Sequence, residues 1–249
     1  MNVLSRLRTL WGASSVSPSH RTDEVRAVAI IMDGNARWAR RRGLPVVAGH
    51  RAGTKAARRA IQACLDLGLE SLCLFAFSTE NWSRSPEEVE AIMELFGETI
   101  ERELPSLMEQ GVRVRFVGRR DRAPGSVRET MESVEERTSG NDRLSLWIAF
   151  DYGGRAEIVE AARRLVEDGI DPRDIDENAI ASRLYAPDMP EPDVLIRTSG
   201  ELRVSNFLLW QLAYTELVFI ETLWPDFDEG DLRQALEEYA GRRRRFGGR

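Results

Sequence analysis

The residues Met32-Asp33-Gly34-Asn35-Ala36-Arg37-Trp38 are the stretch of the sequence best suited to chemistry on an anionic ligand. They follow an apolar run of strand length and precede a basic, alanine-containing segment. A strand is therefore expected to end here and a helix to begin. Free N–H groups at a helix N-terminus suit a phosphate, and an aspartate at the same corner can hold Mg²⁺ against it. The motif predicts a phosphate and magnesium site where open α/β sheets bind ligands, at the carboxyl end of a strand.

A second polar cluster follows the next predicted strand. Serine, threonine and asparagine are ordinary turn and cap residues, so Ser78, Thr79 and Asn81 have a structural explanation. Arg84 has no such explanation. We expect Arg84 and Asn81 to face the same pocket as Asp33.

Glycines mark two further positions. In Asp151-Tyr152-Gly153-Gly154-Arg155 they allow the backbone to approach a ligand closely, although a tight turn from strand to helix explains them equally well. Gly49 and Gly53 flank His50 and predict a loop close to a ligand. A lone histidine is commonly structural, and nothing in the spacing decides between a structural and a ligand-binding role for His50.

The longest cluster runs from Asp193 to Phe207. Its Arg197, Arg203 and Ser205 can surround a second anion, because the guanidinium fork suits bidentate binding of phosphate. Glu216 follows as an additional carboxylate. Two arginine-bearing anion sites and one aspartate for Mg²⁺ predict two phosphorylated substrates.

Composition excludes several classes of protein. The chain has 249 residues, of which 42% are hydrophobic and 31% charged, which is enough for a large α/β core. Its net charge of −6 argues against nucleic acid as the main partner. Cys64 and Cys73 have neither disulfide-scaffold nor zinc-site spacing, so a cytoplasmic location is expected. The phosphate loop GxxxxGK[ST], the dinucleotide motif GxGxxG, the zinc motif HExxH and the nucleophile motif GxSxG are all missing.

The first residues place Leu4, Leu7 and Trp11 among Arg6 and Arg8. This pattern fits a short amphipathic basic helix that touches a membrane, or a frayed terminus, which is the commoner case. We expect residues 1–22 to be a flexible segment and residues 23–249 to form one domain.

Strand-like and helical segments alternate through that domain. Near-continuous apolar strands predict a mostly parallel sheet of about six strands that is covered by helices on both faces, an α/β fold. The predicted strands are Val28–Met32, Ser71–Phe77, Val112–Val117, Leu144–Phe150, Val194–Ile196 and Leu217–Ile220. The predicted helices are Arg51–Leu67, Pro86–Met108, Ser126–Thr138, Arg155–Glu167, Glu177–Tyr185, Phe207–Ala213 and Asp228–Ala240.

Taken together, the clusters resemble the cis-prenyltransferase family, most closely its bacterial undecaprenyl-producing members. The resemblance extends from Val28 to about Gly248 and includes every motif region in order. The motifs that carry it are Asp33-Gly34-Asn35, the segment from Phe77 to Arg84, Tyr152-Gly153-Gly154-Arg155, the segment from Arg197 to Phe207, Trp224-Pro225-Asp226-Phe227 and Arg242–Arg245 with Phe246-Gly247-Gly248.

The resemblance implies a homodimer that condenses isopentenyl diphosphate onto an allylic diphosphate, usually farnesyl diphosphate, with Mg²⁺. Asp33 would hold Mg²⁺, aided by the partner subunit's Glu216, and Asn81 and Arg84 would assist ionisation and condensation. Isopentenyl diphosphate would bind Arg197, Arg203 and Ser205, and the C-terminal segment would reach across the dimer to it. The allylic diphosphate would bind Gly34, Asn35, Ala36, Arg37, Arg40 and His50. The other substrate-binding residues implied are Trp38, Ser78, Thr79, Glu80, Trp82 and Val204.

The family also carries a hydrophobic tunnel for the growing chain. Val89, Ile92, Phe96 and Ile100 recur at helical spacing and could wall it, although part of this stripe must be core. The resemblance places Ala76 at the open upper part of the tunnel and Leu146 at its floor. No obvious insertion lengthens this helix, which favours a product of medium length, near undecaprenyl.

Departures from the family pattern occur at Ala27, Ala36, Val46, Asp151 and Leu202. With these departures, a shorter allylic starter or a shorter product stays possible. A short-chain or head-to-middle cis-prenyl diphosphate synthase is therefore an alternative function. A non-catalytic partner subunit is disfavoured, because such subunits lose the aspartate and asparagine that this chain keeps in its first two clusters. A lipid product makes peripheral membrane contact reasonable.

Overall fold

The computed structural model describes residues 25–242. Six strands form one sheet, in the order β3-β4-β2-β1-β5-β6, and every neighbouring pair is parallel. The strands are β1 Ala27–Ile31, β2 Ser71–Ser78, β3 Val112–Val117, β4 Leu144–Tyr152, β5 Val194–Arg197 and β6 Glu216–Phe219. The α-helices are α1 Asn35–Arg41, α2 Val46–Asp66, α3 Pro86–Glu109, α4 Gly125–Thr138, α5 Gly154–Glu167, α6 Glu177–Ala181 and α7 Glu229–Gly241. Three short 3₁₀ turns lie at Thr79–Ser83, Pro172–Asp174 and Trp224–Asp226.

Apolar side chains pack on both faces of the sheet. Along β1, Val28 and Ile30 join the larger core cluster, under α2, α3, α4 and α7. Ala29 and Ile31 point to the opposite face and join a smaller cluster that includes Phe207. Burial of both faces explains why the strands read as continuous apolar runs rather than as alternating ones. The predicted α/β fold is confirmed, and the six predicted strands differ from the observed ones by at most two residues at either end.

The predicted helix Phe207–Ala213 is wrong, because this stretch forms consecutive turns. Ser205, Asn206 and Leu208 have positive φ angles of 47°, 65° and 43°. Left-handed residues cannot continue a right-handed helix. The helix expected at Glu177–Tyr185 is real but shorter, since it ends at Ala181.

The expected loop around His50 is also wrong, because α2 already begins at Val46 and contains Gly49 and Gly53. The two glycines have a packing role. A Cβ atom at Gly49 would lie 2.1 Å from the backbone oxygen of Asn35, and one at Gly53 would lie 2.6 Å from the Asn35 side-chain oxygen. Because glycine has no side chain, α2 can cross directly over α1 at these two positions. This crossing places His50 beside the Asp33 motif.

Two sequence predictions fall outside the described residues: the amphipathic segment with Leu4, Leu7 and Trp11, and the C-terminal segment after Arg242. Within residues 25–242, none of the helices combines the length and the apolar content needed to cross a lipid bilayer.

We expect Gly49→Ala to destabilise the fold by about 3 kcal/mol, because overpacking against a backbone oxygen forces the two helices apart. The free energy of unfolding, measured by urea denaturation, checks this. Gly125→Ala is the matched control, since a Cβ atom there meets nothing within 4 Å. Equal stabilities of the two variants would contradict the packing role of Gly49.

Candidate active site

The carboxyl ends of the central strands bring the predicted clusters together. Asp33 follows β1, and Thr198 follows the neighbouring strand β5. The Asp33 backbone N–H donates to the Thr198 hydroxyl at 2.9 Å, and that hydroxyl donates back to the Asp33 carbonyl oxygen at 2.7 Å. These reciprocal bonds hold the first and fourth clusters at one corner of the sheet, as expected for parallel strands.

Arg197 is the centre of this corner. Its side chain is only 4% exposed, and Nη2 donates to Asp33 Oδ2 at 2.9 Å. Nη1 donates to the Arg203 carbonyl oxygen at 2.5 Å and to Ser205 Oγ at 2.7 Å. Nε is buried and has no hydrogen-bond partner among the described residues. The guanidinium is therefore held by three hydrogen bonds, and its Nε donor is unused.

Asp33 is ionised at neutral pH. Burial raises the pKa of its carboxyl, but hydrogen bonds from Arg197 and Ser199 and the charges of Arg197 and Arg37 outweigh that effect, so the pKa lies below its usual value. The Arg37 Nη2 atom lies 3.7 Å from Asp33 Oδ2. Both arginines contact Oδ2, so the ionised carboxylate would bind a divalent cation through Oδ1.

Arg37 and Arg203 belong to the same charge cluster. Arg37 donates to the Ser199 carbonyl oxygen at 3.0 Å and also to the Ser199 hydroxyl. It lies 3.5 Å from Glu201, which also pairs with Arg203. The two anion sites predicted from sequence are therefore adjacent and share their acidic partners, a geometry that suits two diphosphates reacting with each other.

The second cluster folds into the 3₁₀ turn Thr79–Ser83. Asn81 Oδ1 accepts from the Ser78 backbone N–H at 2.9 Å, so this oxygen has a capping role. Burial raises the pKa of Glu80, but hydrogen bonds from Asn206 and from Ser78 and Thr79 outweigh it and lower that pKa. The Glu80 carboxylate is thus ionised and anchored at the edge of the site.

Asn206 joins three of the clusters, and the sequence interpretation did not single it out as a site residue. Its side-chain N–H donates to Glu80 Oε1 at 2.9 Å. Its Oδ1 accepts from the Arg155 backbone N–H at 2.9 Å, and its backbone oxygen accepts from the Gly154 N–H at 2.7 Å. The signal for it in sequence is weak: asparagine is one of the few residues that tolerate a left-handed conformation.

His50 and Arg84 interact electrostatically, although they are far apart in sequence. Burial lowers the pKa of His50, the positive charge of Arg84 lowers it further, and Glu88 offsets part of this effect. The imidazole is therefore neutral at pH 7, and its buried Nε2 has no partner among the described residues. Arg84 pairs with Glu88 at 2.8 Å. This arrangement favours the ligand-binding role for His50.

Asp151, Arg122 and Trp82 form a buried network beside this turn. Asp151 is fully buried with a φ angle of 45°, and its Oδ1 accepts from Trp82 Nε1 at 2.8 Å. Arg122 Nε donates to Asp151 Oδ2 at 2.9 Å, and a second guanidinium N–H reaches Oδ1. The Arg122 guanidinium also lies 5.0 Å from the centre of the Trp82 ring. The indole is thus fixed in orientation.

Trp82 lines a cavity of about 830 Å³ between α3 and α4. The cavity extends from Arg84 along the helix to Glu101, and its lining on α3 combines Val89, Met93 and Gly97 with four glutamates, Glu90, Glu94, Glu98 and Glu101. All four residues of the predicted stripe, Val89, Ile92, Phe96 and Ile100, pack in or against the core, and of these four only Val89 also lines the cavity. Neither Ala76 nor Leu146 lines this cavity, and Leu146 is buried in the core.

Other predicted site residues lie nearby with different surroundings. The Trp38 indole N–H donates to Asp226 at 2.6 Å, which ties α1 to the turn Trp224–Asp226. Arg40 is exposed on α1, and Val204 is half-buried against the smaller core cluster.

Glu216 is distant from the Asp33 of its own chain. It is paired in register with Val194, which is in register with Val28, five residues before Asp33. That offset is about 16 Å along the strands. Glu216 instead binds Arg242 at 2.9 Å.

Among the described residues, no group of three or more Asp, Glu, His and Cys side chains is arranged to hold a metal ion. Asp33 nevertheless fits Mg²⁺, which typically takes one or two protein carboxylates and completes its shell with substrate phosphates and water.

Comparison with known proteins decides the family. A prenyltransferase family model, described as that of undecaprenyl diphosphate synthase, matches residues 31–247. The chain belongs to this family. A farnesyl-diphosphate-specific ditrans,polycis-undecaprenyl-diphosphate synthase of Xanthomonas axonopodis pv. citri is 54% identical over 89% of this chain and 88% of its own length. An isoprenyl transferase of Thermotoga maritima is 49% identical over 89% of this chain and 96% of its own length.

Solved structures of the prenyltransferase family share the fold. Lavandulyl diphosphate synthase from Lavandula x intermedia, in complex with dimethylallyl diphosphate, has a TM-score of 0.87 at 37% identity and covers 91% of this chain and 99% of its own. A probable undecaprenyl diphosphate synthase from Campylobacter jejuni has a TM-score of 0.77 at 33% identity, with coverage of 91% and 100%. The expectation of a cis-prenyltransferase enzyme is confirmed.

We expect Asp151→Ala to destabilise the fold by about 3 kcal/mol, because it leaves Trp82 and Arg122 without their buried acceptor. Asp151→Asn should cost less, about 1 kcal/mol, since asparagine keeps an acceptor for Trp82 and tolerates the positive φ. Urea denaturation measures both. Asp121→Asn, which removes an exposed carboxylate paired with Arg119, is the control and should change stability by less than about 0.5 kcal/mol.

Proposed function

We propose that this prenyltransferase adds isopentenyl diphosphate units successively to farnesyl diphosphate and makes a polyprenyl diphosphate of medium length, near undecaprenyl. The charge cluster of Arg37, Arg197 and Arg203 around an ionised Asp33 carries the proposal, because it can hold two diphosphates side by side. The 54% identity to a farnesyl-specific undecaprenyl synthase supports the starter and the product.

We assign the allylic diphosphate to the start of α1. The backbone N–H groups of Gly34 to Arg37 and the side chains of Arg37, Arg40 and His50 would bind it, and His50 keeps an unused Nε2. Breaking the allylic C1–O bond leaves negative charge on the departing diphosphate. Fixed guanidinium groups stabilise that charge without reorganising during the reaction.

We assign isopentenyl diphosphate to Arg197, Arg203 and Ser205. With its diphosphate held there, the double bond attacks C1 of the allylic substrate, one C–C bond forms, and a proton leaves to give the new cis double bond. No protein nucleophile takes part. Asn81, in the 3₁₀ turn, and Arg84, which lines the cavity along α3, would orient the allylic group as it ionises.

Mg²⁺ held by Asp33 would neutralise diphosphate charge and so make the diphosphate a better leaving group. Glu216 lies at the opposite end of the strands from the Asp33 of its own chain. It can share that ion only as the partner subunit's Glu216, so the proposal requires a homodimer. The cytoplasmic location stays a prediction, and peripheral membrane contact is part of the proposal.

A short-chain or head-to-middle synthase is the second candidate, favoured by the structural similarity to lavandulyl diphosphate synthase. The 54% identity to a farnesyl-specific undecaprenyl synthase favours elongation over this second candidate.

Incubation with farnesyl diphosphate, labelled isopentenyl diphosphate and Mg²⁺ tests the proposal, with product masses measured. Long polyprenyl diphosphates are expected. A single condensation, or a branched product, would favour the second candidate, and no condensation with any allylic starter would overturn both.

Asp33→Asn should lower kcat at least about 1000-fold, because it removes the carboxylate that holds the cation. The melting temperature should fall by a few degrees, because the buried Arg197 loses its counter-ion while the asparagine oxygen can still accept its hydrogen bond. Asp226→Asn, which removes another acid near α1, is the control and should keep most of its activity. Near-normal turnover of Asp33→Asn would contradict the role of Asp33.

His50 should titrate below 6.5 in the free enzyme, and Arg84→Gln should raise its pKa by removing the neighbouring cation. Because the folded pKa is depressed, the contribution of neutral His50 to stability is complete above pH 6.5 and is lost as the pH falls from 6.5 through the lower folded pKa. Inorganic diphosphate should raise the pKa if it binds beside the imidazole.

NMR titration of the imidazole signals measures these shifts. The chain has two histidines, His20 and His50, so His20→Gln assigns the signals. An unchanged pKa with saturating diphosphate would remove His50 from the binding site.

Gly97→Leu should shorten the product by several isoprene units. Gly97 lines the cavity, and a Cβ atom there would touch only Val127, at 3.9 Å, so a larger side chain would enter open space. Leucine is also the better helix former, so stability should not fall. Ser106→Leu, on the same helix but outside the cavity, is the control. Identical product lengths would show that the chain does not grow along α3.

A further inference from the structure

Six exposed residues on α1, α2 and the turn between them form a surface that we call the basic corner. It consists of Arg40, Arg41, Leu44, Val47, Arg51 and Lys55. Val47, Arg51 and Lys55 recur at four-residue spacing and so share one side of α2. The opposite side of α2, with Gly49 and Gly53, packs against α1.

The four cations of the basic corner have no salt bridge or side-chain hydrogen bond within residues 25–242. Most arginines elsewhere in that part of the chain are paired with carboxylates, for example Arg58 with Glu103 and Arg115 with Asp188. The nearby acid Asp226 is occupied by Arg42 and Trp38. Free positive charge is thus concentrated on one surface of a chain whose net charge is −6.

Two apolar side chains project from the same surface. Leu44 is 42% exposed and Val47 is 37% exposed. The Leu44 backbone N–H donates to the Ala39 carbonyl oxygen at 3.0 Å, which fixes the turn against α1. Apolar side chains among cations are the pattern of a membrane-surface site: the cations attract anionic lipid headgroups, and the apolar groups enter the boundary with the acyl chains. A polyanion such as a nucleic acid would not require them.

We propose that the basic corner docks the enzyme onto the surface of an anionic lipid membrane. The proposal deepens the function proposed above, whose product is itself a lipid. α1 begins two residues after Asp33, so docking holds the allylic-diphosphate side of the enzyme close to the bilayer. The docking surface lies within the folded domain and does not depend on the N-terminal residues 1–24.

Sedimentation with vesicles tests the proposal, using the full chain without substrates. Vesicles of phosphatidylcholine with 30% phosphatidylglycerol should bind the enzyme, and pure phosphatidylcholine vesicles should not. Each cation near an anionic surface contributes about fivefold to partitioning, so Arg51→Gln with Lys55→Gln should weaken binding about 25-fold. Raising the salt concentration to 0.5 M should release the wild-type enzyme by screening.

Arg128→Gln with Arg143→Gln is the matched control, because it removes the same charge from exposed arginines outside the basic corner. Leu44→Ser should weaken binding several-fold, whereas Val166→Ser, at a residue that is 78% exposed on α5, should not.

Equal binding of the two double variants would overturn the proposal, as would equal binding of the wild type to neutral and anionic vesicles or failure to bind either. Binding to a nucleic acid but not to vesicles would also overturn it. Because turnover is not measured, the result is independent of the condensation assay. A chain that condenses no substrate but shows these vesicle effects would refute the proposed function alone.

Discussion

The buried guanidinium of Arg197 is the constraint on which the site depends. Removing this charge from water is costly, and the cost is offset only when good hydrogen-bond acceptors surround it. Asp33, the Arg203 carbonyl and Ser205 supply them from two segments that the parallel sheet brings together. The requirement fixes the loop after β5 against the end of β1, and it also keeps the Asp33 carboxylate ionised. The Arg197–Asp33 ion pair thus determines how the loop after β5 lies against the end of β1. It also determines whether Asp33 can hold a cation.

The loop after β5 meets this requirement at the cost of backbone strain. Ser199, Ser205 and Asn206 all have positive φ angles, which non-glycine residues seldom adopt. Each has bonds that hold it there: Ser199 accepts from Arg37, Ser205 accepts from Arg197, and Asn206 is bonded to Glu80, Gly154 and Arg155. The strained residues are also the ones that position the charged groups, so the loop is pre-organised before any substrate binds.

Most of the fold and the core of the site could be predicted from the sequence, because they rest on local patterns. Apolar runs located all six strands, and in a parallel sheet the polar clusters that follow them must meet at one edge. The errors arose where tertiary packing overrides local preference. Gly49 and Gly53 signalled a loop but serve a close helix crossing, and the stretch from Phe207 resembles a helix until its left-handed residues are known. The rotation of α3 turns Gly97 rather than Phe96 toward the cavity. This rotation and the role of Asn206 both depend on three-dimensional contacts, which the spacing of residues in the sequence does not reveal.

Glu216 would have to change its partner in the proposed homodimer. In one chain it lies at the amino ends of the strands and is neutralised by Arg242. Arg242 occupies Glu216 Oε2, so Glu216 would have to give up this ion pair, or bind through its other oxygen, to hold a metal ion in the partner's site. Arg242 is also the residue directly before the C-terminal segment that the family resemblance sends across the dimer. In the proposed homodimer, use of Glu216 by the partner's site and delivery of the segment after Arg242 to the isopentenyl site would therefore both involve the Arg242–Glu216 ion pair.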